Sequence, residues 1–317
     1  MIKRALTVLL SVLVFNVNAA PKPGPTSCPP VTQAPSQEEL AQATAQAKDR
    51  GFLWRISKDG VDSYLFGSIH VGKLEWAVPG PELRVALKSS KTMALELDPG
   101  DPAVAQEMSK ILSKFNLKID AKTQARLNRQ ANALCVPPAS IAKFNPLMQA
   151  ITLILLSARW DGLDAAYAQE HVLSGFAHSV GVPVVSLETV KLQMDAMFPN
   201  SAKQATKMLH QALEQLENGK GRPVMARLAN AWAQGDLADL ESYESWCECA
   251  DDPDERALLH KLNDERNPYL AQRIETEHTQ GGPVFAAVGA LHMTGPQALP
   301  KLLAARGFKV TRISYAP

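Results

Sequence analysis

Tyr64-Leu65-Phe66-Gly67-Ser68-Ile69-His70 closes one apolar run of the chain, and Val284-Phe285-Ala286-Ala287-Val288-Gly289-Ala290-Leu291-His292 closes another far downstream. Both runs have the composition of β-strands, and both exit on the same G-x-x-H spacing. A glycine inside a strand marks a place where another backbone or a ligand comes close. In open α/β sheets, ligands gather beyond the carboxyl ends of strands. Two imidazoles delivered there, His70 and His292, can meet on one metal ion or one substrate. A single G-x-x-H is more simply a core or surface histidine, so it is the recurrence that makes a candidate site.

Working outward, each motif is followed by a helix and then a strand. Pro81 to Ser90 has helical spacing and leads to the strand Thr92-Met93-Ala94-Leu95-Glu96-Leu97-Asp98. After the second motif, Gly295-Pro296 opens a helix over Gln297–Arg306, Gly307 ends it, and Phe308–Ile313 is the last strand. The predicted fold is therefore α/β: a mixed, largely parallel sheet built from two βαβ-like halves. Phe52–Ser57 and Ser63–His70 flank Lys58-Asp59-Gly60, a hairpin signal. Pro183–Glu188 is a short, continuously apolar run, predicted to be a strand buried on both faces. Large helical insertions are expected at about 102–180 and 190–278. Asp101 is placed to cap the first of these helices, with Pro102 at its first position, and Gly181 to end the last helix of that stretch.

The predicted domain is residues 51–317, preceded by a Pro-rich leader and short helix at 21–50 and a signal peptide at 1–20. The signal peptide is read from Lys3 and Arg4, the apolar stretch Ala5–Phe15, and the small residues Asn18-Ala19-Ala20. That stretch is too short for a spanning helix, which needs roughly 20 apolar residues. The expectation is a periplasmic or secreted protein with no stable membrane anchor after cleavage. With 33 basic and 32 acidic residues, nothing favours nucleic acid. Four cysteines, Cys28, Cys135, Cys247 and Cys249, suggest disulfides in an exported chain. A Cys247–Cys249 bridge would close a tight ring, so each of these is expected to pair with Cys28 or Cys135.

The carboxylates come next. Glu96 lies in an otherwise apolar strand with Asp98 two residues on, and Glu188 closes another apolar strand. A buried charge there is costly unless it is paired or bound to metal. Two histidines and two glutamates near strand exits make a plausible metal shell, since imidazole and carboxylate suit Zn, Mn, Co or Fe. Arg266, in Asp264-Glu265-Arg266-Asn267, is either part of a solvated helix face or a clamp for a carboxylate or oxyanion. His171 and His178 are about two turns apart, too far to share an ion, Glu170 beside His171 adds little, and Ser68 and Ser174 lack a nucleophile elbow. There is no P-loop, no G-x-G-x-x-G and no H-E-x-x-H.

These pieces, in this order, resemble the TraB/PrgY/GumN family. The matching segments are Leu53-Trp54-Arg55-Ile56, Tyr64 to His70, Ala94 to Asp98, Leu163-Asp164, Gly181 to Thr189, Glu265-Arg266-Asn267, Val288 to His292, and Leu302-Leu303 with Gly307 to Val310. The resemblance implies an α/β core related to the erythromycin-esterase and ChaN-like proteins. It implies a site made from His70, His292, Glu96, Glu188 and Arg266. The Tiki relatives are divalent-metal-dependent proteases. The expected activity is therefore a metal-dependent hydrolase acting on a peptide or protein substrate. The expected ion is Mn, Co or Zn, held by His70, His292, Glu96 and Glu188, with Glu96, Glu188 and Arg266 catalytic and Gly67 and Gly289 lining the cofactor position. Two other readings remain open at this point: a haem- or ligand-binding envelope protein, as among the ChaN-like relatives, and a non-catalytic interaction protein.

Overall fold

The structure is a computed structural model that describes residues 27–114, 117–199, 201–250 and 253–315. The expected signal peptide and the first part of the leader lie outside the described residues. Six strands form one mixed sheet: β1 (Phe52–Lys58), β2 (Val61–Ser68), β3 (Thr92–Leu95), β4 (Val184–Ser186), β5 (Val284–Gly289) and β6 (Lys309–Ile313). Their order is β4-β3-β5-β2-β1-β6. β2, β5, β3 and β4 run parallel, whereas β1 is antiparallel to both β2 and β6.

The β1–β2 hairpin turns on Asp59 (φ 52°) and Gly60 (φ 77°), with Lys58 opposite Val61. Two successive positive φ values match the right-handed twist of the strands, which is why Asp-Gly works here. Asp101 Oδ1 accepts the N–H of Ala103 at 2.8 Å at the start of the Pro102–Lys114 helix. Gly181 closes the Gln169–Val180 helix at φ 74°.

The two G-x-x-H units differ in how they cross the sheet. From β2 the chain passes over β5 to reach β3, whereas from β5 it passes over β2 and β1 to reach β6. The outgoing connections of the neighbours β2 and β5 thus run to opposite sides, which makes their carboxyl ends a switch point. The strands also stop earlier than their apolar runs. β3 ends at Leu95 and β5 at Gly289, and Ala290–Met293 turns into a short 3-10 helix. Beyond the last rung Leu187 N–H still donates to Leu95 O and Glu188 N–H to Glu96 O. The acidic residues therefore sit just past the sheet, where side chains can turn inwards over its end. β4 corrects the expectation of a strand buried on both faces. Among the described residues it has a single neighbour, β3, and all three of its residues are only half-buried, because it forms the margin of the sheet.

The main core covers both sheet faces and includes Phe52, Leu65, Phe66, Phe285, Met293 and Trp232, with the Phe66 ring edge-on to Trp232. Trp232 Nε1–H donates to Gly67 O at 2.7 Å. A β-carbon at Gly67 would lie 3.3 Å from Ala290 Cα, so glycine there lets the two motif segments touch backbone to backbone. A second cluster, including Leu127, Leu147, Leu153, Leu209 and Leu213, joins the helices Ala121–Ala133, Pro146–Ser157 and Ala202–Asn218.

The cysteines pair as Cys28–Cys135 and Cys247–Cys249, not across the two groups as expected. Glu248, between the latter pair, adopts φ 51° and folds the chain back, so that the Cα atoms lie 5.0 Å apart and the tight ring closes. Cys28–Cys135 spans 107 residues and ties the leader to the end of the Ala121–Ala133 helix. Cross-linking a loop of that length lowers denatured-state entropy by an amount worth roughly 4 to 5 kcal/mol. Replacing Cys28 and Cys135 together by Ser is expected to lower stability by a few kcal/mol in urea titrations. The Cys247→Ser/Cys249→Ser pair, which closes a minimal loop, is expected to have a much smaller effect.

Candidate functional site

Glu96, Glu188, Arg266 and His292 are buried side by side at the carboxyl end of the sheet. Arg266 directly precedes the Asn267–Gly281 helix, and its guanidinium lies between the two carboxylates. Its Nε–H donates to Glu188 Oε1 at 2.9 Å, and Nη2 donates both to Glu188 Oε2 and to Glu96 Oε2, the latter at 2.5 Å. Nη1 donates to Leu262 O at 2.9 Å and faces His292 Nε2 at 3.2 Å. Glu96 Oε1 accepts the backbone N–H of Gly289 at 2.7 Å, and Gln193 Nε2 adds a contact to Oε2 at 3.1 Å.

The two histidines leave neighbouring parallel strands and are held differently. Asn267 Nδ2 donates to His292 O at 3.2 Å and Gln297 O at 2.8 Å, which leaves Asn267 Oδ1 as an acceptor 2.5 Å from His292 Nδ1. That network puts the proton of His292 on Nδ1 and its lone pair on Nε2. His70 stands at the rim with 66 % of its side chain exposed, its Nδ1 lying 3.2 Å from Glu170 Oε2. Glu170 Oε1 accepts from Ser68 Oγ at 2.5 Å. Glu96, His292 and His70 border one small cradle above Gly289. A β-carbon there would lie 3.3 Å from Glu96 Oε1, 3.6 Å from His292 Cδ2 and 3.9 Å from His70 Nε2. Glycine keeps that space open.

The electrostatics follow from burial and partners. Burial pushes the pKa of His292 down to about 4, so the ring is neutral at pH 7. Burial opposes ionisation of Glu96, but the positive charges around it outweigh this and hold its pKa at about 2. Since His292 is uncharged at pH 7, Arg266 is the buried cation that stabilises Glu96 at neutral pH. Burial would lower the pKa of Arg266 as well, yet its bonds to Glu188 and Glu96 raise it further than burial lowers it. Glu188 is shifted upward by burial, against the pull of Arg266. Glu170 raises His70 to about 9, an attraction partly screened because water reaches most of the ring.

Of the residues named from sequence, His70, Glu96, Glu188, Arg266, Gly289 and His292 share this site, and Gly67 lies just behind it against Ala290. Asp98 turns away, to Ser174 Oγ at 2.6 Å and His178 Nε2 at 2.9 Å. Glu170 and Asn267 are the partners that sequence reasoning missed. Asn267 sits next to Arg266, and Ser68 lies inside the first motif. Glu170 has no local signal, because only the docking of its helix brings it to His70. Among the described residues, no group of three His, Cys, Asp or Glu side chains forms a ready metal cage. Arg266 explains part of this, because both oxygens of Glu188 and one of Glu96 are already occupied by its guanidinium.

A mixed α/β sheet with two G-x-x-H turns meeting at its carboxyl end defines a class of fold and site. The chain belongs to the TraB/PrgY/gumN family, whose model matches residues 52–312. No curated protein and no solved structure matches the chain.

Two outcomes follow from the buried charges. Arg266→Met leaves two buried carboxylates without their cation, which is expected to cost about 3 to 5 kcal/mol in denaturant titrations, with partial recovery in Arg266→Met/Glu188→Leu. The pKa of folded His292 lies below the ordinary value of 6.5, so between pH 6.5 and about 4 the unfolded chain binds more protons there. Its contribution to stability is therefore complete above pH 6.5 and is lost as the pH falls towards 4. The size is on the order of 3 kcal/mol. Stability of metal-free protein measured from pH 7 to 4 should decline less steeply in His292→Asn than in the wild type.

Proposed function

We propose that the protein is an exported, metal-dependent hydrolase that acts on peptide bonds in a peptide or protein substrate. The observation that carries this reading is the convergence of His70 Nε2, the His292 ring and Glu96 Oε1 on the cradle above Gly289. The far nitrogen of each histidine faces an oxygen, from Glu170 or Asn267. Metal-binding histidines are held in this way. The donor set suits Mn, Co or Zn. We assign His70, His292 and Glu96 to hold the ion. Glu188 belongs to Arg266 instead, because the guanidinium engages both of its oxygens. When bound, the ion supplies a lowered pKa for a coordinated water and polarisation of the scissile carbonyl.

The protein groups divide the remaining work. Glu96 stays ionised at neutral pH, as a ligand requires. Glu188, with both oxygens bound by Arg266, anchors the guanidinium in place. Arg266, pinned by both, presents Nη1 towards His292 and supplies a fixed positive charge for a developing oxyanion. Export is supported by the N-terminal pattern Lys3-Arg4, Ala5–Phe15 and Asn18-Ala19-Ala20, and by the two disulfides. No helix among the described residues is long and apolar enough to cross a membrane.

The test is elemental analysis of the purified protein, followed by cleavage of a peptide library with Mn, Co or Zn added. Wild type should retain a divalent ion and cleave. His70→Ala and His292→Ala should lose at least about 100-fold in metal affinity and activity with unchanged far-UV circular dichroism. Absence of bound metal together with cleavage that ignores all three ions would reject the proposal. A Soret band on haem titration would point instead to the ligand-binding reading.

A further inference from the structure

We propose that Glu170 is the positioning residue of His70, setting which ring nitrogen carries the proton and turning Nε2 onto the cradle above Gly289. The inference rests on the proposed metal site but concerns the chain's own residues. Glu170 lies in the first turn of the Gln169–Val180 helix. That helix is tied to the loop carrying His70 by several bonds. Gln169 N–H donates to Ile69 O at 2.9 Å, and Gln169 Nε2 donates to Trp76 O at 3.1 Å. Just beyond His70, Gly72 and Asp164 exchange backbone hydrogen bonds of 3.0 and 2.8 Å. His70 is thus bracketed on both sides by segments that lead into the helix bearing Glu170.

The carboxylate itself is oriented. Ser68 Oγ takes up Oε1 at 2.5 Å, leaving Oε2 buried and facing His70 Nδ1 at 3.2 Å. Oε2 has no hydrogen-bond partner among the described residues. A buried carboxylate oxygen in that state is a vacant acceptor, and the nearby Nδ1–H is the donor that fits it once the ring turns slightly. Catalytic hydrogen bonds are often loose before ligand binding and tighten afterwards. The rim position of His70 gives its ring little other restraint. A neutral imidazole left to itself can carry its proton on either nitrogen. With the proton on Nε2 it would offer the cradle an N–H in place of a lone pair. Glu170 removes that choice by claiming the proton at Nδ1.

The two motifs therefore solve one problem in different ways. The first, Gly67-Ser68-Ile69-His70, supplies its own hydroxyl to orient an acidic partner. The second, Gly289-Ala290-Leu291-His292, has alanine at that place, and its histidine is held by the neutral amide of Asn267.

Glu170→Gln is the discriminating variant. It keeps the shape and can still accept from Ser68, but it presents an NH2 group to His70 Nδ1. The experiment records long-range 1H–15N spectra of metal-free, 15N-histidine-labelled full chain at a pH where the ring is neutral, and then a Co(II) titration. The wild type should show His70 protonated on Nδ1, and Glu170→Gln should move that proton to Nε2, with the His292 signals unchanged. Co(II) affinity should fall about 10- to 100-fold. Ser68→Ala, which frees the carboxylate, should give a smaller change of the same sign and carries the test if Glu170→Gln does not fold. An unchanged His70 tautomer in a folded variant overturns the proposal. If the tautomer moves but neither protein binds Co(II), the positioning role stands and the metal reading fails.

Discussion

The guanidinium of Arg266, enclosed between Glu96 and Glu188, is the interaction around which the end of the sheet is organised. Two carboxylates cannot be taken out of water at this depth without a cation beside them. The three groups come from the ends of two strands and from the residue that precedes a helix. Their mutual satisfaction therefore ties the start of the Asn267–Gly281 helix to the chain just beyond β3 and β4. It also sets the state of His292, which lies beside a permanent positive charge in a dry position and is kept neutral by burial. The neutral imidazole keeps its lone pair on Nε2, where Arg266 Nη1 faces it at 3.2 Å, so the same charge arrangement bears on both folding and chemistry.

Sheet topology supplies the rest. β2 and β5 are parallel neighbours, so their motifs leave the sheet at the same end and side by side. Gly67 allows Ala290 to approach at van der Waals distance, and Gly289 leaves open the space that Glu96 and both rings surround. Within this frame the histidines are unequal. His292 is buried and tied to a neutral amide, whereas His70 is exposed and faces a carboxylate. Such an arrangement pairs a rigid group with one that can adjust to an incoming ligand at the rim.

The hairpin, the strand runs and the helix ends at Gly181 and Pro102 were legible because each depends on neighbours in sequence: an Asp-Gly turn, apolar runs, a glycine able to take positive φ. The limits of the strands were not, because an apolar run continues past the last rung of the ladder wherever the chain turns inwards over the core. The half-buried state of β4 is likewise a matter of sheet order, since the same Val-Val-Ser would be enclosed with a second neighbour. The Cys247–Cys249 pairing escaped because it depends on Glu248 adopting a conformation that its residue type does not favour.

The linear chain determined which chemistry is available: two histidines three residues after strand glycines, two glutamates at strand exits, and one arginine beside an asparagine. Those identities follow from local pattern. Tertiary structure alone decided how they combine. It sent Asp98 to His178 and Ser174, placed Arg266 on Glu188 and Glu96, and brought Glu170 to His70. The physical reason is that a buried charge takes whichever partner the packing of distant elements puts within reach, and separation along the chain carries no record of that distance.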